Sequence, residues 1–257
     1  MRRVAKIRSW QIGILVAVLG GWEIGGRTEL IDPFFFPLPS DICLQIVTWA
    51  ATASIYNDLA VTLTETLVGF ALGTVLGVAA GIWLALNPVA SEVLEPFIKG
   101  FNAIPRIVLA PIFALWFGLG MTSKIALIVT LVFFMAFFNT YQGVRDANPV
   151  ILANARLLRA SGAKMLRHIY LPSAAQWILS SLRTSIGFAV TGAVVGEYLG
   201  SSVGIGHVIA QAEGSFDATG VFAGMVVLGI FVLLLDALVS VLEARILVWR
   251  PAAETTK

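Results

Sequence analysis

Charge is what this sequence lacks most. Only 12% of its 257 residues are Asp, Glu, Lys or Arg, against roughly a quarter in a soluble domain. The net charge of +2 is too small to give the basic field of a nucleic-acid binder. Cysteine is nearly absent: Cys43 alone excludes an intramolecular disulfide and any multi-cysteine metal site. The two histidines, His168 and His207, are too few and too separated for a His-based metal site. Neither a G-x-x-x-x-G-K-S/T phosphate loop nor an H-E-x-x-H helix appears. Gly204-Ile205-Gly206 is only a fragment of a dinucleotide pattern. The chain is therefore expected to be no enzyme and to hold no cofactor of its own.

Apolar residues fill the space that charge leaves. They make up 58% of the chain, and the mean hydropathy is +0.89. A helix needs about 20 mostly apolar residues to cross a bilayer core. Six segments approach this: Trp10–Gly26, Thr62–Leu86, Ile104–Phe117, Ile125–Tyr141, Ala174–Leu199 and Val221–Leu242. Ile104–Phe117 is short and is expected to be lengthened by the preceding Ser91–Ala103. The basic, then apolar N-terminal stretch reads as a first membrane helix rather than a cleaved signal, since no clean small-x-small site follows it. The expectation is an all-α membrane protein, one domain over residues 1–257 with six transmembrane helices.

Lys and Arg favour the cytoplasmic side. Of the 17 present, fourteen fall on one set of segments: Arg2, Arg3, Lys6, Arg8, Lys99, Arg106, Arg145, Arg156, Arg159, Lys164, Arg167, Arg245, Arg250 and Lys257. Arg27 and Lys124 fall on the other set, and Arg183 lies inside the fifth span. Both termini are thus expected in the cytoplasm of a plasma or inner membrane. On the outer side, "FFFPLPSDI" suggests an interfacial elbow, followed by an amphipathic helix near Ile42–Ala53.

Gly69, Gly73, Gly77 and Gly81 recur every four residues, as do Gly192, Gly196 and Gly200. That spacing lines one helix face and lets two backbones approach closely in lipid. Tight packing within one subunit and a substrate-lining surface are both compatible with it. Pro88, Pro96, Pro105 and Pro111 punctuate the approach to the third span, and proline breaks or kinks helices. A separate helix over Glu92–Ala103 is expected. Ionisable residues inside spans are costly and frequently functional; Glu65, Arg183, Glu197 and Asp236 qualify. Arg183, Thr191 and Glu197 are candidates for a translocation path, with an ion-paired structural charge as the alternative for Arg183.

Between the fourth and fifth spans, residues 146–172 are too polar to cross and too short for a domain. Asn148-Pro149 can start a helix, Ser161-Gly162 can break it, and Pro172 is expected to open the fifth span. The stretch holds Arg156, Arg159, Lys164 and Arg167. It resembles the cytoplasmic signature loop of ABC importer permeases, E-A-A-x3-G-x9-I-x-L-P. Ala153-Asn154-Ala155 takes the E-A-A place, Arg159 the glycine place, and Ile169-Tyr170-Leu171-Pro172 matches I-x-L-P. Ser161-Gly162 is expected to supply the bend that the missing glycine would make. "FFFPLPSDI", "IPRIVLAPIFALWFGLG", "VVGEYLGSSVGIGHVI" and "LEARILVW" resemble, in order and spacing, the nitrate/sulfonate/taurine/bicarbonate branch of these permeases.

The resemblance implies a type I ABC importer permease (MetI-like) fold. It also implies a permease pair, expected to be a homodimer in the lipid bilayer. Cytoplasmic ABC ATPase subunits would use the ATP, and a periplasmic or lipid-anchored solute-binding protein would deliver the cargo. Ala153, Asn154, Ala155, Arg159, Ser161, Gly162, Ile169, Leu171 and Pro172 would form the ATPase-coupling loop. The cargo implied is a small anion such as nitrate, a sulfonate, taurine or bicarbonate, with a thiamine-precursor-like pyrimidine as the alternative. A secondary transporter would need its own ion site and usually internal repeats; no repeat is visible.

Overall fold

In lipid every backbone N–H and C=O must be satisfied within the chain, which leaves helices as the economical choice for an apolar sequence. The computed structural model describes residues 2–246, and helix is the only regular element among them. Met1 and residues 247–257 lie outside the described residues. So do Arg250, Lys257 and the last three residues of "LEARILVW".

α1 covers Arg2–Arg27. Glu23 near its end accepts from Arg27 Nε at 2.7 Å, from the Ser40 hydroxyl at 2.9 Å and from the Ser40 N–H at 3.1 Å. This carboxylate fastens α1 to the start of α2, Pro39–Ala51. α3 runs over Tyr56–Ala85, and α4 over Pro88–Ala103. A single 3-10 turn, Arg106–Leu109, leads into α5, Ala110–Phe117. α6 is Met121–Arg145. Two short helices follow, α7 (Pro149–Leu157) and α8 (Gly162–Met165). α9 covers Leu171–Gly200, α10 Ile205–Gly214 and α11 Ala218–Ile246.

By length and composition α3, α6, the run containing α9, and α11 can each cross a membrane alone. α1 has the length at 26 residues but carries Arg2, Arg3, Lys6, Arg8, Gln11, Glu23 and Arg27 along it. The expected third span is not one lengthened helix. α4 and the Arg106–Phe117 segment meet at 82°. Pro105 is the cause: the residue before a proline is driven out of the helical region, and Ile104 is extended at φ −71°, ψ 127°.

α6 is the centre of the bundle, with α3 on one side and α9 on the other. Gly69, Gly73, Gly77 and Gly81 are all buried against it. A Cβ on Gly77 would stand 2.5 Å from the Phe133 carbonyl oxygen, and one on Gly81 2.8 Å from that of Phe137. Backbone cannot move aside as a side chain can, so the close approach of α3 and α6 depends on glycine at these positions. From the other side Gly192 packs on Leu131 and Ile128, and Gly196 on Lys124. Ile128, Val132, Ala189 and Ala193 close the centre.

Pro172 lies in the first turn of α9, but helix also precedes it. The helical run is continuous for 39 residues, Gly162–Gly200. A π turn at Leu166–Tyr170, in which the Leu171 N–H reaches back to the Leu166 carbonyl, widens the helix just before the proline. Proline lacks the N–H for a normal helical bond and crowds the carbonyl four residues earlier. An inserted π turn is one way a helix absorbs such a conflict.

Candidate functional site: the α7–α8 loop and the open side of α9

α7 starts where the sequence says it should. The Asn148 side chain accepts from the Val150 N–H at 2.9 Å, and Pro149, which has no N–H to lose, takes the first helical position. The helix ends in a Schellman-type turn. The Ala160 N–H reaches the Ala155 carbonyl and the Arg159 N–H that of Arg156, both at 3.0 Å. Arg159 itself sits at φ +53°, in the left-handed region that normally belongs to glycine. So the position aligned with the signature glycine makes the turn with an arginine in place. Ser161-Gly162 does not supply it: Ser161 caps α8, accepting from the Lys164 N–H at 3.4 Å, and Gly162 is already helical.

The loop shows apolar side chains outward. Leu157 and Leu158 are 81% and 83% exposed, and Val150 and Ile151 more than half. Around them Arg156, Arg159, Lys164 and Arg167 are exposed, and none forms an ion pair among the described residues. Ala153, Asn154, Ser161, Gly162, Leu171 and Pro172 are exposed as well; Ala155 and Ile169 are half-buried. The loop is thus a small platform of leucine, isoleucine and valine rimmed by free cations.

The three path candidates do not converge. Arg183 turns toward α11, where its Nε lies 3.6 Å from Asp236 Oδ1 and its guanidinium also donates to the Ser240 hydroxyl. Both charged side chains are about half exposed. Thr191, two turns on, is exposed and bonds its own helix at the Gly187 carbonyl, 2.9 Å away. It lines an open cavity of about 500 Å³ between α9 and α11, with Thr184, Gly187, Phe188, Leu228 and Val232 among its neighbours. Glu197 is fully buried on the other side of the helix.

The chain matches the family model described as "Binding-protein-dependent transport system inner membrane component" over residues 73–248. It belongs to that family. The permease is 30% identical to an aliphatic sulfonates transport permease protein of Bacillus subtilis, over 97% of this chain and 91% of the relative. It is 31% identical to the taurine transport system permease protein of Escherichia coli, over 93% and 88%. It is 32% identical to the formylaminopyrimidine transport permease protein of Halalkalibacterium halodurans, over 89% and 91%. Its fold is that of the MetNI methionine ABC transporter in an inward-facing conformation: TM-score 0.62 at 20% identity, over 74% of this chain and 92% of that one. The permease is thus a type I, all-helical membrane subunit of an ABC importer.

Three features of the permease site escape a reading by composition. Arg159 gives no hint of a left-handed turn, because the residue type argues against one. Lys124, counted above as an outer charge, is only 2% exposed. Gly200-Ser201-Ser202-Val203-Gly204 has the G-x-S-x-G spacing of a hydrolase nucleophile elbow, but it joins α9 to α10, two helices, whereas that elbow needs a strand-to-helix turn.

Proposed function

We propose that this permease, paired with a second copy, forms the membrane path of an importer for a small organic anion, with a sulfonate as the first choice. The supporting relatives transport aliphatic sulfonates and taurine, which share a sulfonate group. A solute-binding protein on the outer side hands over the cargo. ATPase subunits on the cytoplasmic side grip the α7–α8 loop. Both termini lie on that same cytoplasmic side.

The observation that carries the reading is the loop platform. Leu157 and Leu158, exposed next to free arginines, have no reason to face water unless a partner covers them. Closing that partner's two halves on ATP moves both loops. α8 and α9 form one unbroken helical run, so the loop's displacement reaches the membrane helix directly. The open side of α9, with Thr191 and Arg183, then changes its exposure between the two sides of the bilayer. Asp236 beside Arg183 leaves the arginine hydrogen-bonding capacity while cancelling most of its charge, which suits a passing anion that must not be trapped.

The test is reconstitution. Permease, ATPase and loaded binding protein in lipid vesicles should take up a sulfonate only with ATP and only with all three proteins. The relative that transports formylaminopyrimidine supplies the second reading. Uptake of a pyrimidine but not of any sulfonate would replace the substrate while leaving the mechanism.

A further inference from the structure

Three ionisable side chains from three different helices meet inside the bundle, next to the α9–α10 turn. Glu65 of α3, Lys124 of α6 and Glu197 of α9 are 1%, 2% and 0% exposed. Thr62, one turn before Glu65, is fully buried with them. The hydrogen bonds of the cluster converge on Glu197. The Thr62 hydroxyl donates to Glu197 Oε1 at 2.6 Å, and the Gly206 N–H donates to Glu197 Oε2 at 2.7 Å. Thr62 in turn accepts from the Ile205 N–H at 3.0 Å. Lys124 Nζ donates to the Leu119 carbonyl and, at 3.1 Å, to the Ser201 hydroxyl. None of these donors is spent on Glu65. Glu65 lies one turn from Thr62 on the same face of α3, and the Thr62–Glu197 bond brings that face against Glu197; Glu65 Oε2 is buried without a partner.

The two glutamates are therefore not equivalent. Glu197 has a donor on each oxygen, the arrangement that suits an ionised acceptor. An ionised Glu65 would be a buried anion with no donor, pressed against a second anion, with one ammonium to balance two charges. Leaving a charge unpaired away from water is among the most costly arrangements a protein can adopt. One proton removes the conflict: it neutralises Glu65, balances Lys124 against Glu197, and turns Glu65 into a donor.

We infer that Glu65 carries a bound proton in the resting permease and donates it as a hydrogen bond to Glu197, so that the proton closes the junction of α3, α9 and the α9–α10 turn. The turn rests directly on this junction. Gly204 lies at φ +107°, and a Cβ there would stand 2.2 Å from the Glu197 carboxyl carbon; one on Gly206 would stand 2.8 Å from the Glu197 Cβ. Asp58, one turn further back on α3, holds the Gly204 N–H at 2.7 Å. Losing the proton sets two anions side by side and drives α3 from α9, releasing the turn. The inference concerns protonation within one chain and stands whatever the cargo.

Infrared spectroscopy of the intact permease in lipid tests it, since a buried protonated carboxyl has its own C=O band, separate from that of carboxylates. The wild type should show this band, and Glu65→Gln should lose it. Glu65→Gln mimics the protonated acid in shape and can still donate, so its melting temperature should stay within a few degrees. Glu197→Gln strands Lys124 and should melt roughly 6–20 °C lower, while Glu197→Gln combined with Lys124→Met should recover part of the loss. No protonated band in the wild type would overturn the inference. So would a band that survives Glu65→Gln, or Glu197→Gln proving the tolerated variant and Glu65→Gln the damaging one.

Discussion

The helical run Gly162–Gly200 ends in two opposite environments. At its start the loop keeps leucines and arginines in the open, with no partner among the described residues. At its finish Glu197 is sealed, with both oxygens bonded within the chain. One end leaves its side chains uncovered, and the other has a donor on each oxygen of its carboxylate. The difference separates a surface built to meet another protein from a joint built to hold this one together. Polar residues alone do not distinguish the two, since both ends have them.

The largest expected effect would break the sealed half of this comparison. Gly77→Val puts a branched side chain against the Phe133 carbonyl. Overpacking of this kind costs typically about 1–3 kcal/mol, occasionally more, and here the obstacle is backbone. The yield of folded permease and its melting temperature in detergent should both collapse. Gly69→Ala meets the Ile128 side chain instead and should be milder. Equal tolerance at the two positions would mean that α3 and α6 do not lie as close as described.

At the open end the pattern should invert. Ala155→Asp leaves α7 helical but places a charge on the platform, so ATPase co-purification and uptake should fall together by at least tenfold, about 1.4 kcal/mol. The melting temperature of the permease alone should not move. A shift in melting temperature without loss of the ATPase would show the loop to be part of the sealed structure. Arg183→Gln is expected in between, lowering sulfonate uptake several-fold while leaving ATPase binding intact; unchanged uptake would reduce its pairing with Asp236 to a structural one. The smallest effects belong to the loop's arginines. Arg167→Ala removes only an exposed rim charge and should change ATPase affinity by about 0–1 kcal/mol. Arg159→Gly relieves a left-handed conformation that costs roughly 1–2 kcal/mol, with loss of a cation as an offset, so loop stability by hydrogen exchange should rise slightly.

What could be read in advance follows a physical line. The glycine row on α3 was legible because a period of four residues marks a face whatever lies across from it. The sequence could not say that the facing helix is α6, because that pairing joins segments some 60 residues apart. Pro105 announced a break but not its angle, which depends on how α5 packs. The burial of Lys124 was hidden for the same reason. Its acceptors at Leu119 and Ser201 come from two loops, and only the fold brings the second to it. The loop's span and its basic rim were legible from local composition, whereas the turn at Arg159 was hidden by an unfavourable residue.

The π turn at Leu166–Tyr170 has a geometric consequence for lengths of sequence. An α-helix advances about 100° per residue, and a π turn accommodates one residue more than its α equivalent. Deleting a single residue there would let the helix revert to plain α form. The extra residue is taken up within the turn, so the loop side would keep nearly the same azimuth about the axis relative to the span. Leu157 and Leu158 would face nearly the same quarter, with the contacts inside the bundle unchanged. A one-residue deletion at these five positions is therefore absorbed, whereas the same deletion in the plain α stretch of α9 would swing the platform by about 100°.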